Sequence, residues 1–143
     1  WPIVVMLAAM IPVGEALVST NISSEIASFI STTTHGMDLP WLILMILVIT
    51  MFVSDIVNNA ATAVIMAPIA VELATGLQEP IEPFLMAVAV GASCAFLSPI
   101  GHQCNTLVMA PGNYKFGDYW RLGLPLEFVI VLISIPMILF VWT

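Results

Sequence analysis

Residues 41–71 of the sequence read WLILMILVITMFVSDIVNNAATAVIMAPIAV, and they contain the clearest sign of how the chain is arranged in a membrane. Two apolar arms, residues 41–53 and 60–71, enclose a polar centre. The centre and the turn after it carry five hydroxyl, carboxyl or amide side chains: Ser54, Asp55, Asn58, Asn59 and Thr62. Each arm would reach about 20 Å as a helix, which is roughly to the middle of a bilayer. We therefore predict a re-entrant helical hairpin over residues 40–75, with its polar tip deep in the membrane.

A second polar interruption, SPIGHQCNT, occupies residues 98–106 between apolar stretches. Pro99 lacks a backbone donor, and Gly101 frees the backbone from helical geometry. We therefore predict one transmembrane helix over residues 84–113 that is broken near its centre. Such a break exposes carbonyl and N–H groups at mid-depth, and transporters use these groups to hold cations and anions.

The remaining segments complete an all-α membrane protein. Residues 1–32 begin as a long apolar helix and continue as a short helix at the membrane surface or over the bundle. This short helix carries an apolar stripe at helical spacing, formed by Ile22, Ile26, Phe29 and Ile30. Residues 122–143 are long enough for a final transmembrane helix. The predicted order is long helix, re-entrant hairpin, broken helix and final helix.

Composition excludes several classes of protein. Of the 143 residues, 61% are hydrophobic and only 8% are charged, which leaves too little polar surface for a water-soluble monomer. The net charge is −7, and two basic residues, Lys115 and Arg121, cannot form a nucleic-acid-binding patch. Cys94 and Cys104 give neither a disulfide framework nor a metal site. We predict a multi-pass protein of the plasma (inner) membrane, of which residues 1–143 are a fragment.

Two stretches resemble the divalent-anion:sodium symporter family of the ion-transporter superfamily. NNAATAVIMAP, residues 58–68, resembles the family's Ser-Asn-Thr-Ala-Thr hairpin signature. SPIGHQCNTLVMAPGNYKFGDYWRLGLPL, residues 98–126, resembles its last broken helix and the following loop, most closely in permeases that also carry TrkA-C domains. The resemblance implies the second inverted repeat of a transporter that moves as an elevator. It also implies sodium-coupled uptake of a dicarboxylate, citrate or sulfate, and a homodimer of the full-length protein.

The resemblance implies a sodium site at the hairpin tip and the break. Asn59 matches the family Asn that helps hold both sodium and substrate. Ser54 falls where a hydroxyl residue binds sodium, and Gly101 falls where a backbone carbonyl completes the site. Sodium is then the coupling ion, and we expect no cofactor.

The resemblance also implies a substrate site for a small anion. Its predicted members come from both interruptions: Asn58, Asn59, Ala60, Thr62, His102 and Gln103. Two departures from the family bear on the substrate. Ala60 stands where the family has a hydroxyl residue, and the pair at 102–103 replaces the Thr-Pro of dicarboxylate carriers. Both departures favour a compact oxyanion such as sulfate.

Several alternatives stay open on the sequence alone. Asp55 as a proton carrier would favour a proton-coupled, arsenite or citrate-type permease, and an uncoupled channel or structural subunit is a further alternative. Asn58 and Asn59 are also suited simply to cap the returning helix. An intramembrane hydrolase would need Ser98 and His102 as nucleophile and base, and the helix breakers between them argue against it. We therefore predict a transporter and not an enzyme.

Overall fold

The computed structural model describes residues 5, 8–9, 12, 15–16, 19–33 and 37–142, apart from the side chains of Ser23, Ser31, Thr33 and Gln103. The helices are α1 (Ile22–Thr33), α2 (Leu39–Ile56), α3 (Asn59–Leu77), α4 (Ile81–Ser93), α5 (Gln103–Met109) and α6 (Tyr119–Trp142). A 3-10 turn, Phe116–Asp118, leads into α6. The described residues contain no strand, so the predicted all-α membrane fold is confirmed. Most of the helix predicted before residue 19 lies outside the described residues.

The first interruption is much shorter than the polar sequence around it. Only Val57 and Asn58 leave the helical conformation, and both are extended. The Asn58 side chain accepts a hydrogen bond from the Ala61 N–H at 2.8 Å and so caps α3. The flanking helices have 18 and 19 residues, longer than the predicted arms of 13 and 12. Helix α2 continues through Ser54 and Asp55 to Ile56, and α3 continues beyond residue 71 to Leu77. By length and composition each could cross a membrane, and the re-entrant path of the pair stays a prediction.

Helix α4 packs against both α2 and α3 and forms the centre of the bundle. The apolar core comes mainly from these three helices and includes Ile43, Ile46, Leu47, Ile69, Leu73 and Phe84. Gly91 brings the backbones of α4 and α2 together, since a Cβ at this position would lie 2.8 Å from the Thr50 Cβ and 2.9 Å from the Leu47 carbonyl oxygen. Small residues at helix contacts allow the close packing on which membrane bundles depend.

Helix α1 packs on α3 with a face that the sequence pattern did not predict. Ala27 is buried, and the Ser24 hydroxyl donates a hydrogen bond to Glu72 of α3 at 3.0 Å. Three members of the predicted stripe remain exposed, with Phe29 at 73% exposure, and only Ile30 packs against the core. The stripe is therefore not the face that packs on α3, and the predicted position of this helix at the membrane surface or over the bundle stays a prediction. A small residue and a polar contact set the rotation of this helix instead.

The second interruption covers residues 94–102 and begins four residues earlier than predicted. Helix α4 ends at Ser93, and Asn105 and Thr106 belong to α5 rather than to the break. Helix α6 has 24 residues and begins three residues before the predicted final span. It approaches the break at Gly123, where a Cβ would lie 2.5 Å from the Phe96 carbonyl oxygen. The break is thus packed between α2 on one side and α6 on the other.

Candidate functional site

The two interruptions lie directly against each other. Gly101 is buried, and a Cβ at this position would lie 2.7 Å from the Ser54 carbonyl oxygen and 2.7 Å from the Ala95 Cβ. A side chain cannot fit there without moving backbone atoms, so the contact requires glycine. The absence of a side chain allows the second interruption to reach the end of α2.

Four oxygen-bearing groups from the two interruptions converge at this contact. Ser54 is fully buried, and its hydroxyl donates a hydrogen bond to the Ala92 carbonyl at 2.8 Å. The Asn59 side-chain amide lies 3.1 Å from the Ser54 hydroxyl and 3.2 Å from the carbonyl oxygens of both Ala92 and Gly101. The structure therefore brings together the three residues that the family resemblance implies for sodium.

The Ala92 carbonyl belongs to this cluster, and the sequence analysis missed it. Ala92 lies in an apolar stretch where no polar side chain marks a site. Its carbonyl is available because α4 ends at Ser93, and the last carbonyls of a helix have no partner in their own helix. A correct prediction of the end of α4 would have pointed to this carbonyl, but the sequence pattern placed that end four residues too late.

The Asn59 amide can face the cluster in two ways. With its nitrogen toward the cluster, it donates to Ser54 Oγ and to the carbonyls of Ala92 and Gly101. With its oxygen toward the cluster, it accepts from Ser54 Oγ at 3.1 Å and faces the carbonyl oxygens of Ala92 and Gly101, an arrangement that a cation would stabilise. Oxygen ligands of this kind suit a hard cation, and unwound helix carbonyls hold sodium in transporters. In this second orientation the cluster would offer the ligands of a cation site.

Asp55 and Ser98 hold the second interruption in place. Asp55 Oδ1 accepts a hydrogen bond from the Leu97 N–H at 3.0 Å, and the Asp55 carbonyl accepts one from the Ser98 hydroxyl at 2.5 Å. The Ser98 oxygen in turn accepts from the N–H groups of Ile100 and Gly101, each at 3.2 Å. These bonds satisfy backbone donors that the break has freed from the helix.

Helix α5 supports the same segment from its other side. The Asn105 amide donates to the carbonyls of Ala95 at 3.1 Å and Ser98 at 3.3 Å. The Thr106 hydroxyl donates to the Pro99 carbonyl at 2.5 Å. These side chains replace the backbone bonds of a continuous helix, which explains how a break of this length is stable in the bundle.

Three of the predicted substrate residues are sequence neighbours of this cluster. Asn58 and Ala60 flank Asn59, and His102 follows Gly101, whose carbonyl oxygen lies 3.2 Å from the Asn59 amide. Asn58 and His102 are exposed, and Ala60 is half-buried. His102 Nδ1 accepts a hydrogen bond from the Cys104 N–H at 3.2 Å, so in the neutral ring the proton lies on Nε2. His102 can therefore offer one N–H donor.

Two predicted substrate residues differ from this group. Thr62 is fully buried in α3, and its hydroxyl has no hydrogen-bond partner among the described residues. The side chain of Gln103 lies outside the described residues, although its backbone begins α5.

Ser98 Oγ and His102 Nδ1 are both engaged by backbone groups, which is not the arrangement of a nucleophile and its base.

Comparison with known proteins gives a consistent family. The model of the citrate transporter family matches residues 1–143. An uncharacterized transporter of Synechocystis sp. is 33% identical over 142 residues, which cover 99% of this chain and 23% of the relative. An uncharacterized transporter of Escherichia coli K12 is 33% identical over 138 residues, covering 96% of this chain and 23% of the relative.

A probable sodium/sulfate cotransporter of Chlamydomonas reinhardtii is 31% identical over 136 residues, covering 94% of this chain and 15% of the relative. The chain thus spans less than a quarter of the length of these curated relatives. Their names are those of transporters rather than enzymes, and the described helices include three that are long and apolar enough to cross a membrane. The resemblance seen in the sequence is confirmed, and the chain belongs to the citrate transporter family.

Proposed function

We propose that this chain supplies a sodium site and part of the anion site of a sodium-coupled symporter for a small divalent anion. The observation that carries the proposal is the convergence of Ser54 Oγ, the Asn59 amide and the carbonyls of Ala92 and Gly101. The full-length protein would act in the plasma membrane.

Sodium and anion binding are linked by charge compensation. A dianion in the membrane interior is costly unless an opposite charge lies beside it. Sodium among these four oxygens would supply that charge next to Asn58 and His102. Anion binding would then require sodium, and downhill entry of sodium would drive uptake of the anion.

The residues around the site favour a compact oxyanion. Ala60 offers no hydroxyl to a carboxylate, and an unpaired carboxylate oxygen costs about 1–3 kcal/mol, or roughly 5- to 150-fold in affinity. The Nε2–H of His102 is a donor that suits a tetrahedral oxyanion. The Chlamydomonas relative that is named a probable sodium/sulfate cotransporter supports the same choice. We therefore propose that sulfate-like dianions bind more tightly than four-carbon dicarboxylates.

The test is uptake by the full-length carrier in liposomes, with and without an inward sodium gradient. Labelled sulfate would be the tracer, and unlabelled sulfate, succinate, citrate and phosphate the competitors. We expect uptake to require sodium and sulfate to compete at a lower concentration than succinate. Uptake that follows a proton gradient without sodium would contradict the coupling proposal, and stronger competition by succinate would contradict the substrate proposal.

A matched pair of variants links the uptake to the site. We expect Asn59→Ala to abolish sodium-driven uptake while the protein still inserts in the membrane. The control is Ser93→Ala on the last turn of α4, where an exposed hydroxyl donates to the Ala89 carbonyl of its own helix. Wild-type uptake by Asn59→Ala would remove Asn59 from the sodium site.

Citrate is the second candidate substrate, because the matched family is described as citrate transporters. The same competition experiment distinguishes it from sulfate. Citrate as the strongest competitor, with sulfate weak, would favour this candidate and would leave the sodium site unaffected.

A further inference from the structure

We propose that Asp55 is a positioning residue for the cation: it holds the second interruption so that the Gly101 carbonyl faces Ser54 and Asn59. The inference rests on the proposed sodium site and deepens it. Asp55 itself is not among the four groups of that site. It acts through the backbone of residues 97–101.

The first step is that Asp55 is hydrogen-bonded to the second interruption through both its side chain and its main chain. Its side chain accepts a hydrogen bond from the Leu97 N–H, and its main-chain carbonyl accepts one from the Ser98 hydroxyl. Two successive residues of the break are therefore tied to one residue of α2. The residue before Asp55 is Ser54, whose hydroxyl belongs to the cation cluster. The hydrogen bonds of Asp55 and one group of the cluster therefore lie on the same turn of α2.

The second step is that Ser98 connects Asp55 to Gly101 through further hydrogen bonds. The Ser98 oxygen accepts hydrogen bonds from the N–H groups of Ile100 and Gly101, both at 3.2 Å. Two hydrogen bonds thus connect the Asp55 carbonyl, through Ser98, to the Gly101 N–H. The carbonyl of the same glycine is 3.2 Å from the Asn59 amide. Movement of Ser98 would therefore move a proposed ligand.

The third step is that burying the Asp55 carboxyl group inside the helix bundle is energetically unfavourable. Asp55 is only 6% exposed, and the described part of the chain provides no ion pair for it. Its Oδ2 atom has no hydrogen-bond partner among the described residues, and Oε1 of the Glu127 carboxyl on α6 has none either. A carboxyl group inside a membrane bundle is expensive and is typical of a functional position. Asp55 belongs to α2 and is hydrogen-bonded to two residues of the break, which suits a residue that fixes their relative position.

The expected effect is on sodium affinity rather than on maximal rate. Some residues orient the ligands of a metal ion without contacting the ion themselves. Replacing such a residue typically lowers metal affinity by about 10- to 100-fold. We expect Asp55→Leu and Ser98→Ala to raise the half-saturating sodium concentration by about 10- to 100-fold. Maximal uptake at saturating sodium, and the half-saturating anion concentration measured there, should stay near wild type.

Asp55→Asn separates the hydrogen bond from the charge. Its amide oxygen still accepts from the Leu97 N–H, and the side chain carries no charge. We expect this variant to keep sodium affinity close to wild type. An effect as large as that of Asp55→Leu would show that the charge matters and would overturn a positioning role through this bond.

The experiment is a sodium titration of anion uptake by the full-length carrier in liposomes, with Ser93→Ala as the matched serine control. Unchanged sodium dependence in both Ser98→Ala and Asp55→Leu would overturn the inference while the sodium site stands. Sodium-independent uptake by the wild type would overturn the proposed site and this inference together. If Asp55→Leu does not fold, Ser98→Ala and Asp55→Asn alone decide: a shift in the first and none in the second supports the inference, and any other pattern overturns it.

Discussion

Both interruptions leave backbone groups without their helical partners, and these groups find new partners in different ways at the two places. At residues 57–58 the chain leaves the helix for two residues, and a single local cap from Asn58 starts α3. At residues 94–102 the chain leaves it for nine residues, and side chains from α2 and α5 replace the lost backbone bonds. The short interruption is thus determined locally and the long one by distant partners. We infer that the long interruption is the more easily damaged of the two.

The largest effect is expected at the contact between the interruptions. A methyl group at Gly101 would collide with the Ser54 carbonyl and the Ala95 Cβ, and overpacking of this kind costs about 1–3 kcal/mol. We expect Gly101→Ala to abolish sodium-driven uptake and to lower the unfolding temperature of the full-length protein.

Gly76 in α3 provides the matched control for this glycine. A Cβ at Gly76 would meet nothing within 4 Å, and alanine is favoured over glycine in a helix by about 0.5–1 kcal/mol. Gly76→Ala should therefore transport normally. Normal uptake by Gly101→Ala would show that the two interruptions do not need this close contact.

The next effect is expected inside the long interruption. Asn105→Ala removes the amide that donates to the Ala95 and Ser98 carbonyls and takes this donor from two partly buried acceptors. The expected loss in the free energy of unfolding is about 1–3 kcal/mol, measured by thermal or denaturant unfolding of the full-length protein. A loss smaller than that of the Asn58 variant below would reverse our ranking of the two interruptions.

The smallest effect is expected at the short interruption. Asn58→Ala removes the cap of α3 and should cost about 1 kcal/mol, whereas Asn58→Ser keeps a capping oxygen and should cost only a few tenths of that. Uptake sharpens the comparison, because serine restores the cap but not the amide. A weakened anion affinity in Asn58→Ser would assign the amide to the substrate, and an unchanged affinity would leave capping as its role.

The sequence predicted the elements better than their ends. The pattern of apolar arms around Ser54, Asn59 and Gly101 indicated two interruptions, and the structure places these three residues together. The start of the second interruption was misplaced because residues 94–97 are apolar and their backbone partners, Asp55 and Asn105, are distant in sequence or lie after the break.

Other features had no signal in the residue types. The Ala92 carbonyl is a main-chain group, and no side chain announces it. Helix α1 packs through Ala27, because in a membrane bundle close packing by small residues can outweigh the burial of large apolar ones. Thr62 was expected near the substrate, and its burial was not visible in a helix that is apolar on all sides.

The proposed sodium site requires both interruptions of the chain. The most direct measurement is the unfolding temperature of the purified full-length protein as a function of sodium, with potassium replacing sodium to keep ionic strength constant. A bound cation stabilises the folded state in proportion to the logarithm of its concentration above the dissociation constant. We predict that sodium raises the unfolding temperature of the wild type and of Ser93→Ala, and that Ser54→Ala removes most of this rise. An equal sodium-dependent rise in Ser54→Ala would contradict a sodium site at this contact.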